Sequence, residues 1–153
     1  QLAAHSSRTR GIWGGGYSGF HDNIDFVTIA STGDATDFGD LSAARKDLDA
    51  CSNEIRGVYM GGRITPNDVN TMEYVTNSST GNGVDFGDTT RAVNSAQATA
   101  SSTRSVCYGG NGGGDNIVEY VNIMTQGNAI DFGDTLSGGK YSGAGFSNGH
   151  GGL

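Results

Sequence analysis

One four-residue motif constrains the fold of this chain more than any other feature. Asp-Phe-Gly-Asp occurs three times, at 37–40, 85–88 and 131–134. The first aspartates of the copies are therefore 48 and 46 residues apart. A repeat of this length indicates similar structural units that stack or close on one another to bury a common core.

A second repeated feature divides the chain into units. Arginine, a short apolar run and a glycine pair occur at 10–15, 56–62 and 104–110. Such a run predicts a short buried strand that ends in a sharp turn or close to another backbone. The 153 residues are accordingly read as one repeat domain, with a partial unit at 1–9 and full units at 10–55, 56–103 and 104–153. Because Gln1 is not methionine, we expect a chain that has been processed, trimmed or only partly represented.

The middle of each unit predicts a hairpin. An acid, an aromatic residue and a valine occur at 25–27, 73–75 and 119–121, which favours a strand with one buried face. Glycine followed by Asp or Asn then predicts a tight turn of the primed type. The return strand enters the motif, where the phenylalanines are predicted to be buried anchors and the glycines to permit a bend or bulge. These motif residues are Asp37, Phe38, Gly39, Asp40, Asp85, Phe86, Gly87, Asp88, Asp131, Phe132, Gly133 and Asp134.

The last part of each unit, at 41–55, 89–103 and 135–149, is less regular. Residues 42–48 resemble a short helix in composition. Residues 98–103 occupy the equivalent place with β-tolerant residues and no helical stripe, so we predict a fourth strand there. The sequence therefore predicts an all-β fold of three four-stranded units of about 48 residues.

Residues 58–62, Val-Tyr-Met-Gly-Gly, followed by Glu73 and Tyr74, resemble a kelch motif. The resemblance implies a kelch-like β-propeller with one unit per blade. Since propellers have four to eight blades, three units imply completion by oligomerisation or by a longer chain. A β-trefoil, which closes with three copies, is the main alternative; an open β-solenoid or a strand-exchanged fibre are the others.

A more specific resemblance involves Arg-Gly-Ile-Trp-Gly-Gly-Gly at 10–16 and Ser-Thr-Gly-Asp-Ala-Thr-Asp-Phe-Gly-Asp-Leu at 31–41. These segments resemble the Asp-Phe-Gly-Asp-Leu repeat proteins of tailed, largely aquatic bacteriophages, which are virion or tail-fibre components. The resemblance implies a virion or extracellular location. It also implies copies of the chain itself or other virion proteins as partners.

Composition argues against two classes of partner. The formal net charge is −7 and no basic run accumulates, whereas nucleic-acid binding depends on clustered Lys and Arg. No stretch approaches the roughly 20 apolar residues of a membrane span, so membrane insertion is not expected. Cys51 and Cys107 stand at different positions of the repeat and are predicted to be buried free thiols.

Little in the sequence predicts catalysis. The repeated aspartates are predicted to serve turns and backbone capping, with calcium binding as the alternative; no other cofactor is expected. His5, His21 and His150 are not repeated and are predicted to be exposed. No nucleophile elbow, phosphate loop or zinc-protease motif occurs, so the chain is predicted not to be an enzyme. A glycan-cleaving enzyme with a carboxylate pair is the alternative.

The loops after the glycine pairs are where the units differ. Aromatic, amide and charged groups at the rim of a repeat fold suit a carbohydrate site, with rings against the sugar and polar groups on its hydroxyls. We therefore predict a structural or adhesin module that binds host cell-surface glycans. The candidate ligand-binding residues are Tyr17, Phe20, His21, Arg63, Asn67 and Asn111.

Overall fold

The computed structural model describes residues 1–17, 19–111, 116–137 and 143–145. This part of the chain is all-β and contains no helix, so it includes no helix that could span a membrane. Its strands are β1 (Ala3–Ser6), β2 (Arg10–Gly14), β3 (Asn23–Thr28), β4 (Thr36–Asp40), β5 (Asp49–Ser52), β6 (Arg56–Met60), β7 (Arg63–Ile64), β8 (Asn67–Asp68), β9 (Thr71–Thr76), β10 (Val84–Asp88), β11 (Gln97–Ala100), β12 (Arg104–Tyr108), β13 (Ile117–Asn122) and β14 (Ile130–Asp134).

Twelve of these strands form three antiparallel sheets of four. The first sheet has the order β1-β2-β3-β4, the second β5-β6-β9-β10 and the third β11-β12-β13-β14, while β7 and β8 form a small separate hairpin. None of the sheets closes on itself. The first strands lie side by side, β1 against β5 and β5 against β11. The predicted all-β fold of four-stranded repeats is therefore confirmed.

The sheets are offset from the sequence repeat by one strand. Each sheet takes its first strand from the end of one unit and its other three strands from the next unit, as β5 shows by pairing with β6. Only Asp49–Ser52 of the segment 41–55 is a strand. The prediction of a strand was wrong for residues 41–48, which carry the chain from the outer edge of one sheet to the first strand of the next.

Alternation along β6 shows how the sheets pack. Val58 and Met60 point to one side, into a core shared with the third sheet, whereas Tyr59 points to the other, into a core shared with the first. The second sheet therefore lies between the other two. We call the contact of the first and second sheets the first joint, and that of the second and third sheets the second joint.

The motif phenylalanine is an extra residue in its strand. In β4, Gly39 and Asp37 pair with consecutive residues of β3, which leaves Phe38 as a bulge, and β10 repeats this at Phe86. The predicted bulge is confirmed. Phe38 and Phe86 are 2% and 1% exposed, but Phe132 is 57% exposed. The predicted burial of Phe132 was wrong because, among the described residues, no further sheet covers that side of the third one.

The connections 29–35, 77–83 and 123–129 are seven residues long, so the predicted tight hairpin turns were wrong. In the second and third of these connections, glycines contact the preceding sheet instead. Gly81 and Gly83 donate their backbone N–H groups to the carbonyls of Phe38 and Asp40, each at 2.7 Å. Motif and turn are thus two halves of one contact between neighbouring sheets.

Candidate functional site

The predicted ligand-binding residues of the first two units lie in neighbouring loops. Tyr17, Phe20 and His21 belong to the connection between β2 and β3, and Arg63 and Asn67 belong to the β7–β8 hairpin. The backbones of Lys46 and Arg63 form an antiparallel bridge, with N–H to O distances of 3.2 and 2.7 Å. The segment that precedes β5 therefore ties the second loop to the first.

Lys46 also contacts the first loop through its side chain. Its Nζ lies 4.3 Å from the ring centroid of Tyr17 and 5.3 Å from that of Phe20, within the range of cation–π attraction. Phe20 has a φ of 56°, which residues other than glycine rarely adopt, so this backbone conformation costs energy. We call Tyr17, Phe20, Lys46 and Arg63 the rim cluster.

Two carboxylates accompany the cations of the rim cluster. Nε of Arg63 donates to Oδ1 of Asp68 at 2.6 Å. This hydrogen bond and the charge of Asp68 raise the pKa of Arg63, and Asp47 adds to the effect. Asn67 pairs with Ile64 across the hairpin turn. The loop end of the first two units thus presents charges of both signs beside two aromatic rings.

The two other predicted residues are less central. His21 is exposed, and its backbone carbonyl accepts the N–H of Arg45 at 3.2 Å. Asn111 pairs with Asn94 at the second joint, through backbone hydrogen bonds of 3.1 and 2.8 Å. Asn111 therefore lies outside the rim cluster. A backbone hydrogen bond connects the segment of Asn94 with the segment of Lys46: the carbonyl of Asp47 accepts the N–H of Ser95 at 2.7 Å.

Sequence reasoning missed Lys46, Asp47 and Asp68. Lys46 and Asp47 lie in a segment of constant length, whereas the sequence signal for ligand contacts came from the segments of variable length. The clue available in the sequence was Arg45-Lys46-Asp47, three consecutive charges in a chain where charged residues are only 16% of the total. Asp68 stands five positions after Arg63, and only the two-stranded hairpin brings the two together.

The motif aspartates take part in backbone contacts. The N–H groups of Asp40 and Asp88 donate to Oδ1 of Asn82 and Asn128, at 3.1 and 3.0 Å. Oδ1 of Asp131 accepts the N–H of Gly133 at 3.1 Å, as in an Asx turn. Within the described ranges, no three His, Cys, Asp or Glu side chains are grouped as a metal site requires.

The joints contain buried ion pairs. Nη2 of Arg45 lies 3.3 Å from Oε2 of Glu73 in the first joint, with both side chains almost fully buried. Nη1 of Arg45 also donates to two carbonyls of the second sheet, each at 3.1 Å. Burial lowers the pKa of Arg45, and Glu73 opposes that effect. Arg91 and Glu119, 3.4 Å apart, are the counterpart in the second joint.

His5 was predicted to be exposed, and that prediction was wrong. It lies in β1, where its ring packs edge-on against Tyr59 with 5.2 Å between centroids and occupies the space over Gly57 that a Cβ would fill. His21 is exposed as predicted, and His150 lies outside the described residues. Cys51 and Cys107 are buried free thiols, as predicted. Burial raises the pKa of Cys51 to about 12.

Two groups in the joints are expected to oppose each other when pH changes. Burial lowers the pKa of His5 from 6.5 to about 4, so the unfolded chain binds the extra proton between these values and stability falls as pH falls. Burial raises the pKa of Asp49 from 3.8 to about 6, so the folded chain binds the extra proton and stability falls as pH rises. In the native chain the two effects largely cancel.

Replacing either group is expected to reveal the pH dependence of stability that the other group contributes. In Asp49→Asn, the free energy of unfolding should fall by up to about 3 kcal/mol between about pH 7 and about pH 4 because His5 acts alone. In His5→Gln, the His5 contribution is lost and the Asp49 contribution acts in the opposite direction. Urea unfolding of both variants at the two pH values measures this difference, in which all other titrating groups cancel. Equal pH dependence of the two variants would contradict the assignment.

The chain matches no protein-family model, and it matches no curated protein. Function therefore has to be inferred from the rim cluster and from the joints. Among the described residues, the groups with strongly altered pKa values include His5 and Asp49 of the joints, whereas the rim cluster holds the exposed ring of Tyr17 and the partly buried Phe20, Lys46 and Arg63.

Proposed function

We propose that this protein is a non-enzymatic structural and adhesin module of a virion, which binds glycans of the host cell surface through the rim cluster. The observation that carries the proposal is the placing of two aromatic rings beside Lys46, whose backbone pairs with that of Arg63. Tyr17 is 69% exposed, so its ring is accessible to a ligand. The resemblance to the repeat proteins of tailed bacteriophages supplies the virion setting.

The rim cluster has the chemistry that sugars require. A pyranose ring presents a face of C–H groups that packs on an aromatic ring, and its hydroxyls need donors and acceptors around that face. Lys46 covers one face of Tyr17 and leaves room for a ligand on the exposed part of the ring. Arg63 and Asp68 provide a donor and an acceptor in the next loop.

We also propose that the three sheets are consecutive blades of a kelch-like propeller. Three features support this: each sheet is a four-stranded antiparallel meander, the first strands of neighbouring sheets lie side by side, and the sheets stack in a row. A β-trefoil would instead close its three units around one axis. Among the described residues the row leaves two end faces, and we propose that further copies of the chain or further units complete the ring.

A glycan-cleaving enzyme is the second candidate, and one observation favours it. Asp47 and Asp68 both act on Arg63, so two carboxylates are present at the loop end. A glycosidase needs two carboxyl groups with different pKa values on either side of the scissile bond. The groups with strongly altered pKa values instead lie in the joints, where no sugar chain would reach them, which supports binding over cleavage.

Binding to a glycan array tests the proposal. We expect the native chain to bind a subset of host polysaccharides, and Tyr17→Ala and Arg63→Ala to reduce that binding about fivefold or more each, since hot-spot aromatic and arginine residues carry about 1 kcal/mol or more. Ile55→Ala, which removes an exposed apolar side chain between β5 and β6, is the control and should bind normally.

Two outcomes would count against this proposal. Binding that never exceeds background would remove the adhesin role. Release of reducing sugar from the bound polysaccharide, abolished by Asp68→Asn, would favour the enzyme. Loss of binding in Tyr17→Ala with an unchanged circular dichroism spectrum excludes unfolding as the cause.

A further inference from the structure

The two joints are built from the same backbone contacts. In each joint, a turn donates two N–H groups to the motif of the preceding sheet, and the motif donates one N–H back to an Asn side chain. The pairs are Gly81 to Phe38, Gly83 to Asp40 and Asp40 to Asn82 in the first joint, and Gly127 to Phe86, Ala129 to Asp88 and Asp88 to Asn128 in the second. The contact is therefore a property of the repeat, and each sheet has one half of it on either side.

Side chains in the joints repeat as well. Glu73 accepts the N–H of Ser42 in the first joint, as Glu119 accepts that of Thr90 in the second. The opening arginines reach across in the same way. Arg10 donates to the carbonyl of Asn77 at 2.9 Å, and Arg56 donates to that of Ile123 at 3.3 Å.

The outer side of the third sheet, which we call the forward face, offers one half of this set without a partner among the described residues. Phe132 is exposed there, whereas Phe38 and Phe86 are buried in the joints. A Cβ on Gly133 would meet no atom within 4 Å, whereas one on Gly39 or Gly87 would lie 2.5 or 2.6 Å from the backbone of the next turn. The forward face is therefore shaped to receive a turn.

Arg104 completes the forward face. Its guanidinium lies 4.5 Å from the ring centroid of Tyr120, as that of Arg56 lies 4.3 Å from the ring centroid of Tyr74. Arg56 also donates to a carbonyl of the next sheet. In the part of the chain that the structure describes, Arg104 has no such acceptor, so a charge-assisted hydrogen bond is still to be made.

The outer side of the first sheet, which we call the backward face, offers the other half. Asp25 pairs with Trp13 as Glu73 pairs with Tyr59, so it stands at the place of the joint glutamates. Val27 stands at the place of the buried Val75 but is only half-buried. The turn at 32–35 is exposed, and so is Ile29, whose carbonyl corresponds to the one that accepts Arg10.

We infer that the forward face of one copy of this chain binds the backward face of a second copy, in the manner of the two internal joints. This inference specifies the self-assembly part of the proposed function and rests on it. Each face lacks what the other supplies: Phe132, Arg104 and a motif backbone on one side, and a turn, Ile29 and Asp25 on the other. Two copies joined twice in this way give a ring of six sheets, within the four to eight of propellers.

One segment of the chain competes with this contact. Gly143 lies against Gln97, and a Cβ on Gly145 would overlap the carbonyl of Ala98, so residues 143–145 lie along β11. This is the place where, in an internal joint, the first strand of the next sheet lies, and hence where β1 of the second copy would lie. Residues 143–145 are exposed and form no strand, whereas β1 pairs with β2 over four residues. The second copy therefore displaces residues 143–145.

Mass in solution, measured by sedimentation equilibrium, tests the inference. The native chain of 15.7 kDa is expected to reach twice that mass as its concentration rises, and the fluorescence of Trp13 on the backward face should shift in parallel. Gly145→Val is expected to increase the dimer fraction, because the added side chain expels the competing segment from Ala98. Ile55→Ala, away from both faces, is the control and should not change the mass.

Two variants that each block one face separate head-to-tail pairing from any other dimer. Phe132→Asp blocks the forward face and Val27→Asp the backward face, and both replace side chains that are at least partly exposed. Each variant alone is expected to stay monomeric, and an equal mixture is expected to form dimers through the one intact pair of faces. Should Phe132→Asp fail to fold, Arg104→Glu, which removes the exposed donor of the same face, replaces it.

The outcomes that overturn the inference are distinct. A native chain that stays monomeric, with no change in Gly145→Val, contradicts it. A blocked variant that still forms dimers alone shows a different interface. Particles larger than two copies show that the ring does not close at six sheets. Since no glycan is present, failure of glycan binding leaves these results unchanged, and a monomeric chain leaves the glycan result unchanged.

Discussion

Replacing Arg45 by methionine is expected to lower the free energy of unfolding by about 3–5 kcal/mol, the usual cost of removing one partner of a buried ion pair. The substitution leaves Glu73 buried in the first joint with no opposite charge beside it. It also removes the donor for the carbonyls of Gly61 and Thr71. Urea unfolding followed by the fluorescence of Trp13, the only tryptophan, measures the loss.

Two further variants test whether the loss arises from the unpaired carboxylate. Adding Glu73→Leu to Arg45→Met should recover part of the stability, because an apolar pair of similar volume carries no desolvation cost. Arg91→Met in the second joint should cost less, since the side chain of Arg91 is more exposed and lies slightly farther from its glutamate. A loss below about 1 kcal/mol in Arg45→Met would show that the buried Glu73 does not depend on Arg45 for stabilisation in the folded state.

The sequence predicted the strands well because their signals are local. Arginine followed by apolar residues gave β2, β6 and β12, and the acid-aromatic-valine run gave the third strand of each sheet. The bulge at the motif was also predictable, since glycine after a core phenylalanine at a constant position requires a backbone that other residues avoid. The φ values of Gly39 and Gly87, 144° and 134°, agree with this.

The assignment of strands to sheets was not predictable in the same way. β5 belongs by sequence to the unit of β2 but pairs with β6, and nothing in residues 41–55 specifies a partner. The pairing of β5 with β6 follows from the path of the chain. The chain leaves the first sheet at its outer edge, β4, and has to cross before it can begin the second sheet with β5. The turns were misjudged for a similar reason, because their glycines serve the neighbouring sheet as well as their own.

The candidate site was predicted in part. Differences between units pointed to Tyr17, Phe20 and Arg63, which lie in neighbouring loops that Lys46 contacts. Lys46 was missed because it lies in a segment of constant length, and only the fold brings that segment against Arg63 and Tyr17. His5 was misjudged because burial of a histidine follows from what covers it, here Tyr59 and the open space over Gly57.

The largest contrast between equivalent residues is expected for the motif phenylalanines. Phe86→Ala should lower the free energy of unfolding by about 3–5 kcal/mol, the usual cost of deleting a core phenylalanine. Phe132→Ala should cost less than about 1 kcal/mol in dilute protein, because most of that ring is already in contact with water. Both rings meet an aromatic neighbour edge-on, at 6.1 and 6.0 Å, so the local contact is matched and only the covering sheet differs.

Protein concentration extends this comparison to the head-to-tail contact. Binding that occurs only in the folded state raises the apparent stability as concentration increases. If a second copy covers the forward face, the loss of stability caused by Phe132→Ala should therefore grow with protein concentration toward the loss caused by Phe86→Ala. The part of the Phe86→Ala loss that arises within the monomer should stay constant. A Phe132→Ala cost that is independent of concentration would show that the ring stays in water. The third copy of the motif would then carry in water a phenylalanine that the other two copies bury in a core.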